Sequence, residues 1–422
     1  MNTTPLVKFT GSLAALAICS ACGALRQGQD DMQPPISAPT AMTQAAAIAS
    51  PRYQVLYFFA GPVAGDGSFS EAPLIDVNGT LYGTTAYGGT SGFGTIFSLS
   101  PSGTENVLYS FEGGSDGDQP EAGLTNVSGT LYGTTESGGA NGIGTVFAIT
   151  NTGTETVLHS FGSSGDGNTP VAGLVNVNGT LYGTTLYGGA QGAGTVFSIS
   201  TTGKEKVVYG FAGGTDGGQP EAALIDVKGI LYGTTYNGGL NAFGTVYRVS
   251  TTGAEKVLYS FNAGSDGRHP QASLRNVDGN LYGTTEYGGG GDCHGSRGCG
   301  TVYRVSLDGK EKVVYAFGGS VDGDGALPGA GVVDVRGRLY GTTYAGGDGQ
   351  CGYPNGCGTA YSVSTTGSET VLHSFARTST DGGKPVANLI VVNGTIYGTT
   401  EAGGKTHERC PHGCGSVFTL SP

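Results

Sequence analysis

Three glutamates occupy the same place in a repeating sequence, and carboxylates in such a set can bind a metal ion. Glu71, Glu121 and Glu221 each stand just before a short apolar segment, whereas three other repeats have valine or glutamine there. If these segments converge, the carboxylates could hold one divalent cation that polarises a carbonyl group or activates water. The alternative is a rim of solvated charges, since no histidine or asparagine completes a ligand set at this position.

Three pairs of cysteines lie in one type of loop, in the last three repeats. The pairs are Cys293 and Cys299, Cys351 and Cys357, and Cys410 and Cys414. These loops are longer than the matching loops of earlier repeats, and in an exported protein each pair is expected to form a disulfide within its own loop. Metal binding is the alternative, because three histidines share the loops, although zinc sites usually need four ligands and closer cysteines. These histidines are His294, His407 and His412.

Aromatic and basic side chains of the same long loops could contact a ligand. Tyrosine offers an apolar face with a hydroxyl tip, which suits sugars and partner proteins, although packing at strand ends would also explain the tyrosines. Loops stiffened by disulfides lose less entropy on binding. We therefore expect a binding surface formed by Tyr287, Arg297, Tyr344, Tyr353, Arg409 and His412.

An aspartate followed by glycine occurs in the same loop of every repeat, between the outer strand and the next inner strand. These residues are Asp66, Asp116, Asp166, Asp216, Asp266, Asp322 and Asp381. A residue present in every repeat is more typical of structure than of a site, so we interpret these carboxylates as caps of turn amides. A ring of calcium sites is the alternative, because calcium prefers carboxylate and carbonyl oxygens. No cofactor is expected otherwise.

The elements that must position these residues are set by a repeat of about 50 residues. The phrase Leu-Tyr-Gly-Thr-Thr, or Ile-Tyr-Gly-Thr-Thr in the last copy, begins at Leu81, Leu131, Leu181, Leu231, Leu281, Leu339 and Ile396. This spacing is typical of four-stranded propeller blades. The sequence therefore predicts an all-β fold, a seven-bladed β-propeller of antiparallel blades over residues 53–422, with the three glutamates at its axial channel.

Local patterns support the strands and a way to close the ring. Asn78-Gly79 and its equivalents match a two-residue type I′ hairpin turn. The glycine inside each repeated phrase, such as Gly83, is expected to admit a neighbouring blade closely. Residues 53 to 59 resemble a fourth strand, whereas the last repeat ends after its third. The N-terminal strand should therefore complete the seventh blade.

The repeated elements resemble a known family. Leu-Tyr-Gly-Thr-Thr, then Gly-Gly, then Gly-Thr-Val-Phe, as in residues 181–197, resembles the GloVer tandem repeat of exported bacterial proteins. The run from each Asp-Gly into the next strand is also similar to YVTN-type propellers. The resemblance implies an extracytoplasmic repeat domain and no catalytic residues.

The N-terminal segment and the composition predict where the protein acts. Lys8, an apolar stretch to Ile18, and then Cys19-Ser20-Ala21-Cys22 predict a signal peptide over 1–22, of lipoprotein type with Cys22 lipidated, or alternatively cleaved for free secretion. Residues 23–51 read as a disordered tether. The net charge of -12, with no basic run, argues against nucleic acid. A membrane contact is expected only through the lipid anchor.

These features favour a non-catalytic binding or scaffold module at the outer membrane or cell surface. No arrangement of serine, histidine and aspartate, phosphate loop or nucleophile elbow stands out. We expect a monomer whose ligand is a glycan or an envelope protein. The alternative is a metal-assisted hydrolase or lyase that works through Glu71, Glu121 and Glu221 at the axial channel.

Overall fold

The computed structural model describes residues 52–162, 165–291, 293, 297–319, 323–349, 351 and 356–422. The predicted signal peptide, the predicted lipidation site Cys22, the predicted tether, Tyr353 and His294 lie outside these residues. In the described part of the chain, no helix is long and apolar enough to span a membrane.

The described residues form seven antiparallel sheets of four strands each. This arrangement confirms the predicted all-β, seven-bladed propeller. Within each blade, the strands lie side by side in chain order, from the first strand to the fourth, except in the seventh.

The blades have the following strands. Blade one has Ile75–Val77, Thr80–Thr85, Thr95–Leu99 and Glu105–Ser110. Blade two has Thr125–Val127, Thr130–Thr135, Thr145–Ile149 and Glu155–Ser160. Blade three has Val175–Val177, Thr180–Thr185, Thr195–Ser200 and Glu205–Gly210. Blade four has Ile225–Val227, Ile230–Thr235, Thr245–Ser250 and Glu255–Ser260.

The remaining blades follow the same plan. Blade five has Arg275–Val277, Asn280–Thr285, Thr301–Ser306 and Glu311–Ala316. Blade six has Val333–Val335, Arg338–Thr343, Thr359–Ser364 and Glu369–Ser374. Blade seven has Ile390–Val392, Thr395–Thr400, Ser416–Leu420 and the N-terminal Tyr53–Phe58.

Short additional elements lie at one end of some blades. Two-residue strands pair as Gly67–Ser68 with Tyr87–Gly88, Gly167–Asn168 with Tyr187–Gly188, Gly325–Ala326 with Ala345–Gly346, and Gly382–Gly383 with Ala402–Gly403. Single turns of 3-10 helix cover Pro62–Ala64 and Gly114–Asp116.

The hairpin between the first and second strands has the predicted turn. Asn78 and Gly79 have φ angles of 56° and 85°, the left-handed conformations that a type I′ turn requires. Asp76 Oδ1 also accepts a hydrogen bond from the Gly79 amide at 3.0 Å. The side chain thus holds the turn that fixes the register of these strands.

Aromatic side chains hold neighbouring blades together around the whole ring. A buried phenylalanine that follows each fourth strand meets the ring of a third-strand residue in the next blade edge to face, with centroids 5.0 to 5.4 Å apart. The pairs are Phe59–Phe97, Phe111–Phe147, Phe161–Phe197, Phe211–Tyr247, Phe261–Tyr303, Phe317–Tyr361 and Phe375–Phe418. Such geometry suits the quadrupoles of aromatic rings.

The glycine of the repeated phrase has a different role from the predicted one. A Cβ atom on Gly83 would lie 2.6 Å from Cζ of Phe97 and 2.8 Å from Cδ2 of Leu74. Both residues belong to the first blade, as Gly83 does, so the prediction that this glycine admits a neighbouring blade is wrong. The glycine instead makes room for the aromatic ring that its own blade presents to the previous one.

The N-terminal strand pairs with the last blade, as predicted. Tyr53–Phe58 runs antiparallel to Ser416–Leu420, with Tyr53 opposite Leu420 and Phe58 opposite Ser416. Thr399 of blade seven donates a hydrogen bond to the Ala72 carbonyl of blade one at 3.3 Å. An equivalent hydrogen bond, from Thr84 to the Ala122 carbonyl, joins blades one and two. The junction of blades seven and one therefore has the same type of hydrogen bond as the junction of blades one and two.

Candidate ligand-binding site in the axial cavity

A cavity of about 690 Å³ lies where the seven blades meet. Each blade contributes the residue four positions before its first strand, which places the cavity on the propeller axis. These residues are Glu71, Glu121, Val171, Glu221, Gln271, Gly329 and Val386. A smaller space of about 220 Å³ is lined by the same seven positions and by small residues that precede the first strands, such as Ala122 and Ala172. The three predicted glutamates therefore line one cavity.

The wall of the cavity includes two of the tyrosines that sequence analysis assigned to a loop surface. Tyr287 and Tyr344 line it together with Leu186, Glu286 and Leu327. The predicted carboxylate site and part of the predicted loop surface are thus one site. Sequence reasoning did not anticipate this union, because the two sets of residues belong to different positions of the repeat.

The other predicted loop residues lie outside the cavity. Arg297 is exposed, and its guanidinium carbon lies 5.8 Å from the ring centre of Tyr287. Arg409 and His412 are exposed in the loop of blade seven and do not line the cavity. Of the predicted loop residues that the structure describes, only Tyr287 and Tyr344 therefore line the cavity.

A recurring backbone reversal brings a second residue of each blade next to the axial one. Gln119, two positions before Glu121, has a φ of 58°, and its carbonyl accepts a hydrogen bond from the Glu136 amide at 3.0 Å. The left-handed conformation recurs at the matching residue of every blade: Phe69, Thr169, Gln219, His269, Leu327 and Lys384. The residue after the repeated phrase lines the cavity in three blades, as Leu186, Glu286 and Tyr344, and sequence analysis named only Tyr344 of these.

Burial and mutual repulsion make the glutamates weak acids. Burial, aided by the charges of Glu71 and Glu136, raises the pKa of Glu121 to about 8. Burial also raises the pKa of Glu71 to about 7, with contributions from Glu401 and Glu136. Interaction with Glu136 adds to the upward shift in the pKa of Glu121, and interaction with Glu121 offsets part of the upward shift in the pKa of Glu136. These groups form one acidic cluster on blades one and two.

A second acidic group lies on blades four and five. Burial, followed by the charge of Glu286, raises the pKa of Glu221 to about 7. The Tyr236 hydroxyl donates to Glu286 Oε2 at 3.0 Å, and the His269 ring stacks on Tyr236 with centroids 4.4 Å apart. Burial lowers the pKa of His269. This histidine is therefore expected to add no positive charge near pH 7.

Basic side chains near the cavity are already engaged by its tyrosines. Lys384 Nζ donates to the Tyr344 hydroxyl at 2.6 Å and lies 4.7 Å from the centre of that ring. The guanidinium of Arg268 lies 5.5 Å from the ring centre of Tyr287. The faces of these tyrosines thus hold cations within the range of cation–π contact.

The recurring aspartates cap turns, as the structural interpretation predicted. In blade two, Asp116 Oδ2 accepts hydrogen bonds from the Glu112 amide at 2.8 Å and the Tyr109 hydroxyl at 3.0 Å. In blade six, however, Asp324 makes these contacts, to the Gly318 amide and the Tyr315 hydroxyl. The assignment of Asp322 is therefore wrong, and Asp322 itself lies outside the described residues.

Sequence reasoning also missed a glutamate at the start of six fourth strands. These are Glu105, Glu155, Glu205, Glu255, Glu311 and Glu369, and in each the Oε1 atom is buried with no hydrogen-bond partner in the described residues. Each interacts with the capping aspartate of the loop that leads into its own blade, and burial, aided by that aspartate, raises the pKa of all six to about 7. The recurrence of glutamate at the start of the fourth strand is the sequence signal that could have identified these residues.

The cysteines form the predicted pairs. Disulfides join Cys293 to Cys299, Cys351 to Cys357, and Cys410 to Cys414. His407 Nε2 lies 2.9 Å from Cys414 Sγ. Because these sulfurs are bonded to one another, none of the three pairs supplies a thiolate for a metal ion.

Several solved structures are similar to the chain at low sequence identity. A protein from Bacteroides uniformis assigned as a 6-phosphogluconolactonase has 15% identity and a TM-score of 0.47, over 76% of this chain and 88% of that one. A puromycin-hydrolysing peptidase of Mycobacterium tuberculosis has 12% identity and a TM-score of 0.50, over 82% of this chain and 52% of that one. A protein assigned as a gluconolactonase has 12% identity and a TM-score of 0.44, over 88% and 92%. Of these, the peptidase has a similar fold, and none of the three similarities concerns the activity of this chain.

Sequence comparison identifies the family. No curated protein sequence matches the chain. Two overlapping segments, residues 45–240 and 166–354, match the model of the Gloeobacter/Verrucomicrobia repeat. Together they cover most of the propeller, and the chain belongs to the Gloeobacter/Verrucomicrobia repeat family.

Proposed function

We propose that the protein is an exported, non-catalytic binding module of the bacterial cell envelope, with its ligand site in the axial cavity. The observation that carries this proposal is that residues which differ from blade to blade lie together in the axial cavity. Most positions repeat from blade to blade, whereas the axial position holds glutamate, valine, glutamine or glycine. A site for a ligand without sevenfold symmetry must break the symmetry of the repeat in this way.

The chemistry of the cavity favours a ligand with a positively charged group. Its lining has four carboxylates and two tyrosines, and the lining residues include no lysine or arginine. Ammonium and guanidinium groups bind to carboxylates and to the faces of aromatic rings. Such a group could belong to an amino sugar of a glycan or to a basic side chain of an envelope protein.

Export and attachment remain part of the same proposal. The disulfides favour an oxidising, extracytoplasmic compartment. We infer a lipid anchor at Cys22, on the outer membrane or cell surface, with secretion of a soluble form as the alternative. The module would act as a monomer, would not bind nucleic acid, and would contact the membrane only through its anchor.

The test is a binding measurement with paired ligands. Calorimetry would compare a chitosan pentamer, which carries amino groups, with its N-acetylated chitin counterpart, and an oligolysine peptide with its acetylated form. We expect one cationic ligand to bind, and Glu121→Gln with Glu221→Gln to weaken binding about tenfold or more. Glu112→Gln, an exposed carboxylate outside the cavity, is the matched control. Equal binding by the double variant, or no binding to either cationic probe, would contradict the proposal.

A second candidate is the metal-assisted hydrolase or lyase. Glu71, Glu121 and Glu221 would hold the ion, and the observation that favours this candidate is that their pKa values of about 7 to 8 suit proton transfer near neutral pH. The pKa of about 8 for Glu121 means that a cation would have to displace a proton from this carboxyl near pH 7, which weighs against a tight site. Calcium titration of chelator-treated protein would separate the two candidates.

A further inference from the structure

A three-residue cleft recurs at the outer edge of the junctions between blades. A side chain of one fourth strand meets the capping aspartate of the following loop and, at six junctions, the glutamate that begins the next fourth strand. At five junctions the first residue is a tyrosine whose hydroxyl donates to the aspartate at 2.8 to 3.0 Å. These tyrosines are Tyr57, Tyr109, Tyr209, Tyr259 and Tyr315.

The junction of blades two and three departs from this pattern. His159 replaces the tyrosine, and its Nε2 lies 3.0 Å from Asp166 Oδ2. The side chain of Asp166 is 3% exposed and that of His159 is 20% exposed. Oε1 of Glu205 is buried without a hydrogen-bond partner in the described residues. One potential ligand atom from each residue lies within 4.8 Å of the other two.

The junction of blades six and seven provides an internal comparison. His373 occupies the equivalent position and lies 3.2 Å from Asp381. The next fourth strand, however, begins with Tyr53, which stacks on His373 with centroids 3.5 Å apart and donates its hydroxyl to Asp381 Oδ1. This cleft therefore lacks the third ligand. Among the described junctions, histidine, aspartate and glutamate meet only between blades two and three.

We propose that His159, Asp166 and Glu205 bind a divalent transition-metal ion, with zinc as the probe. One imidazole and two carboxylates are a donor set for zinc and its neighbours, whereas calcium takes oxygen ligands alone. The ion would replace the proton that His159 shares with Asp166 and would give the buried Glu205 oxygen a partner. Water would complete the coordination. In the five tyrosine clefts, the hydroxyl proton points at the aspartate where the ion would lie.

The site would join two blades. His159 belongs to the fourth strand of blade two, and Glu205 begins the fourth strand of blade three. A ligand that binds only the folded state stabilises it by mass action. Zinc should therefore raise the melting temperature as well as bind, and this readout does not depend on any activity of the protein.

The experiment uses variants that the chain itself suggests. Full-length protein carrying Cys19→Ser and Cys22→Ser, treated with a chelator and dialysed, would be titrated with zinc by calorimetry and melted with and without it. We expect one zinc per chain and a melting temperature several degrees higher with the ion. His159→Tyr recreates the cleft of the five other junctions, so it should fold and lose both effects. Tyr209→His, with Asp216 and Glu255 in place, should gain a second zinc.

Two controls decide where an ion binds. Combined substitution of Glu71, Glu121 and Glu221 by glutamine should leave zinc binding unchanged, and Glu205→Gln should weaken it at least tenfold. Absence of zinc binding in the parent protein would overturn the proposal. Unchanged stoichiometry and melting shift in folded His159→Tyr would equally overturn it, because the ion would then lie elsewhere.

Discussion

At the scale of single residues, comparison of the repeats located the axial glutamates but not their neighbours. Glu71, Glu121 and Glu221 precede a recognisable strand, so their shared position could be read from the sequence. Glu136 and Glu286 follow the repeated phrase, a position where the sequence also has alanine, leucine and tyrosine. A left-handed reversal in the backbone places this second position next to the axial one. Glutamine, leucine and lysine are among the residues at the reversal, and these residue types do not predict a left-handed conformation.

A glycine substitution tests the packing at this scale. Gly183→Ala would place a Cβ atom 2.6 Å from Cζ of Phe197 and 2.7 Å from Leu174, so overpacking should lower the free energy of unfolding by about 1 to 3 kcal/mol. Gly210→Ala is the matched control in the same blade. Its Cβ atom would meet only one backbone atom, at 4.0 Å, and blade five has alanine there. Chemical denaturation measures both, and equal effects would contradict the packing argument.

At the scale of elements, hairpins and the closing strand were predictable because short-range patterns determine them. The conformations of the long loops were not predictable, since glycine-rich segments have no hydrophobic periodicity that determines their backbone path. The loop before blade six illustrates the difficulty. It contains two Asp-Gly pairs, Asp322-Gly323 and Asp324-Gly325, and the sequence cannot choose between them. Contacts with Tyr315 and Gly318 select Asp324, and these contacts exist only in the folded blade.

The closing strand is expected to contribute strongly to stability. Deletion of residues 52–60 would remove the fourth strand of blade seven, the Phe59–Phe97 contact and the hydrogen bond from Tyr53 to Asp381. The exposed edge of Ser416–Leu420 would then be free to pair with other chains. We expect a melting temperature at least 10 °C lower, or aggregation, in thermal scans with light scattering. Deletion of residues 40–48 in the predicted tether is the control of equal length. A melt within a degree or two of the parent protein would contradict the role of this strand.

The disulfide loops allow a separate test. Cys351→Ser with Cys357→Ser releases a loop closed over a sequence separation of 6, which should cost about 2 kcal/mol by loop entropy. Denaturant unfolding measures the loss, and peptide mapping of the parent protein should find no free thiol outside the leader. A disulfide between different loops, such as Cys293 with Cys357, would contradict the assignment.

At the scale of the whole molecule, repetition explains why the fold was easier to predict than the function. Every blade must satisfy the same packing, so seven copies report the same architecture. A ligand site occurs once and depends on differences among copies, which are few and are scattered along the chain. The axial cavity and the cleft of His159 both became visible only when the ring placed such differences side by side.

The raised pKa values of buried glutamates around the propeller predict how its stability depends on pH. Burial raises the pKa of the six glutamates at the blade junctions to about 7, well above the ordinary range of a carboxyl group. The axial Glu71, Glu121 and Glu221 shift in the same direction. Between about pH 4.5 and 7 the folded protein therefore binds more protons than the unfolded chain. Because a raised pKa favours the folded state at low pH, this contribution is lost as the pH rises through 7.

We expect the melting temperature to be several degrees higher at pH 5.5 than at pH 8, and to change little above pH 8.5. The pKa values of Asp166 and Asp381 are lowered by their hydrogen bonds to histidine, against the effect of burial, so their contribution is lost only in more acidic solution. Calorimetric scans across this range measure the dependence. Glu255→Gln with Glu311→Gln removes two of the titrating groups and should flatten the slope, whereas Glu112→Gln, at an exposed position, should leave it unchanged. A melting temperature that rises between pH 5.5 and 8 would show that the junction glutamates are ionised in the folded ring.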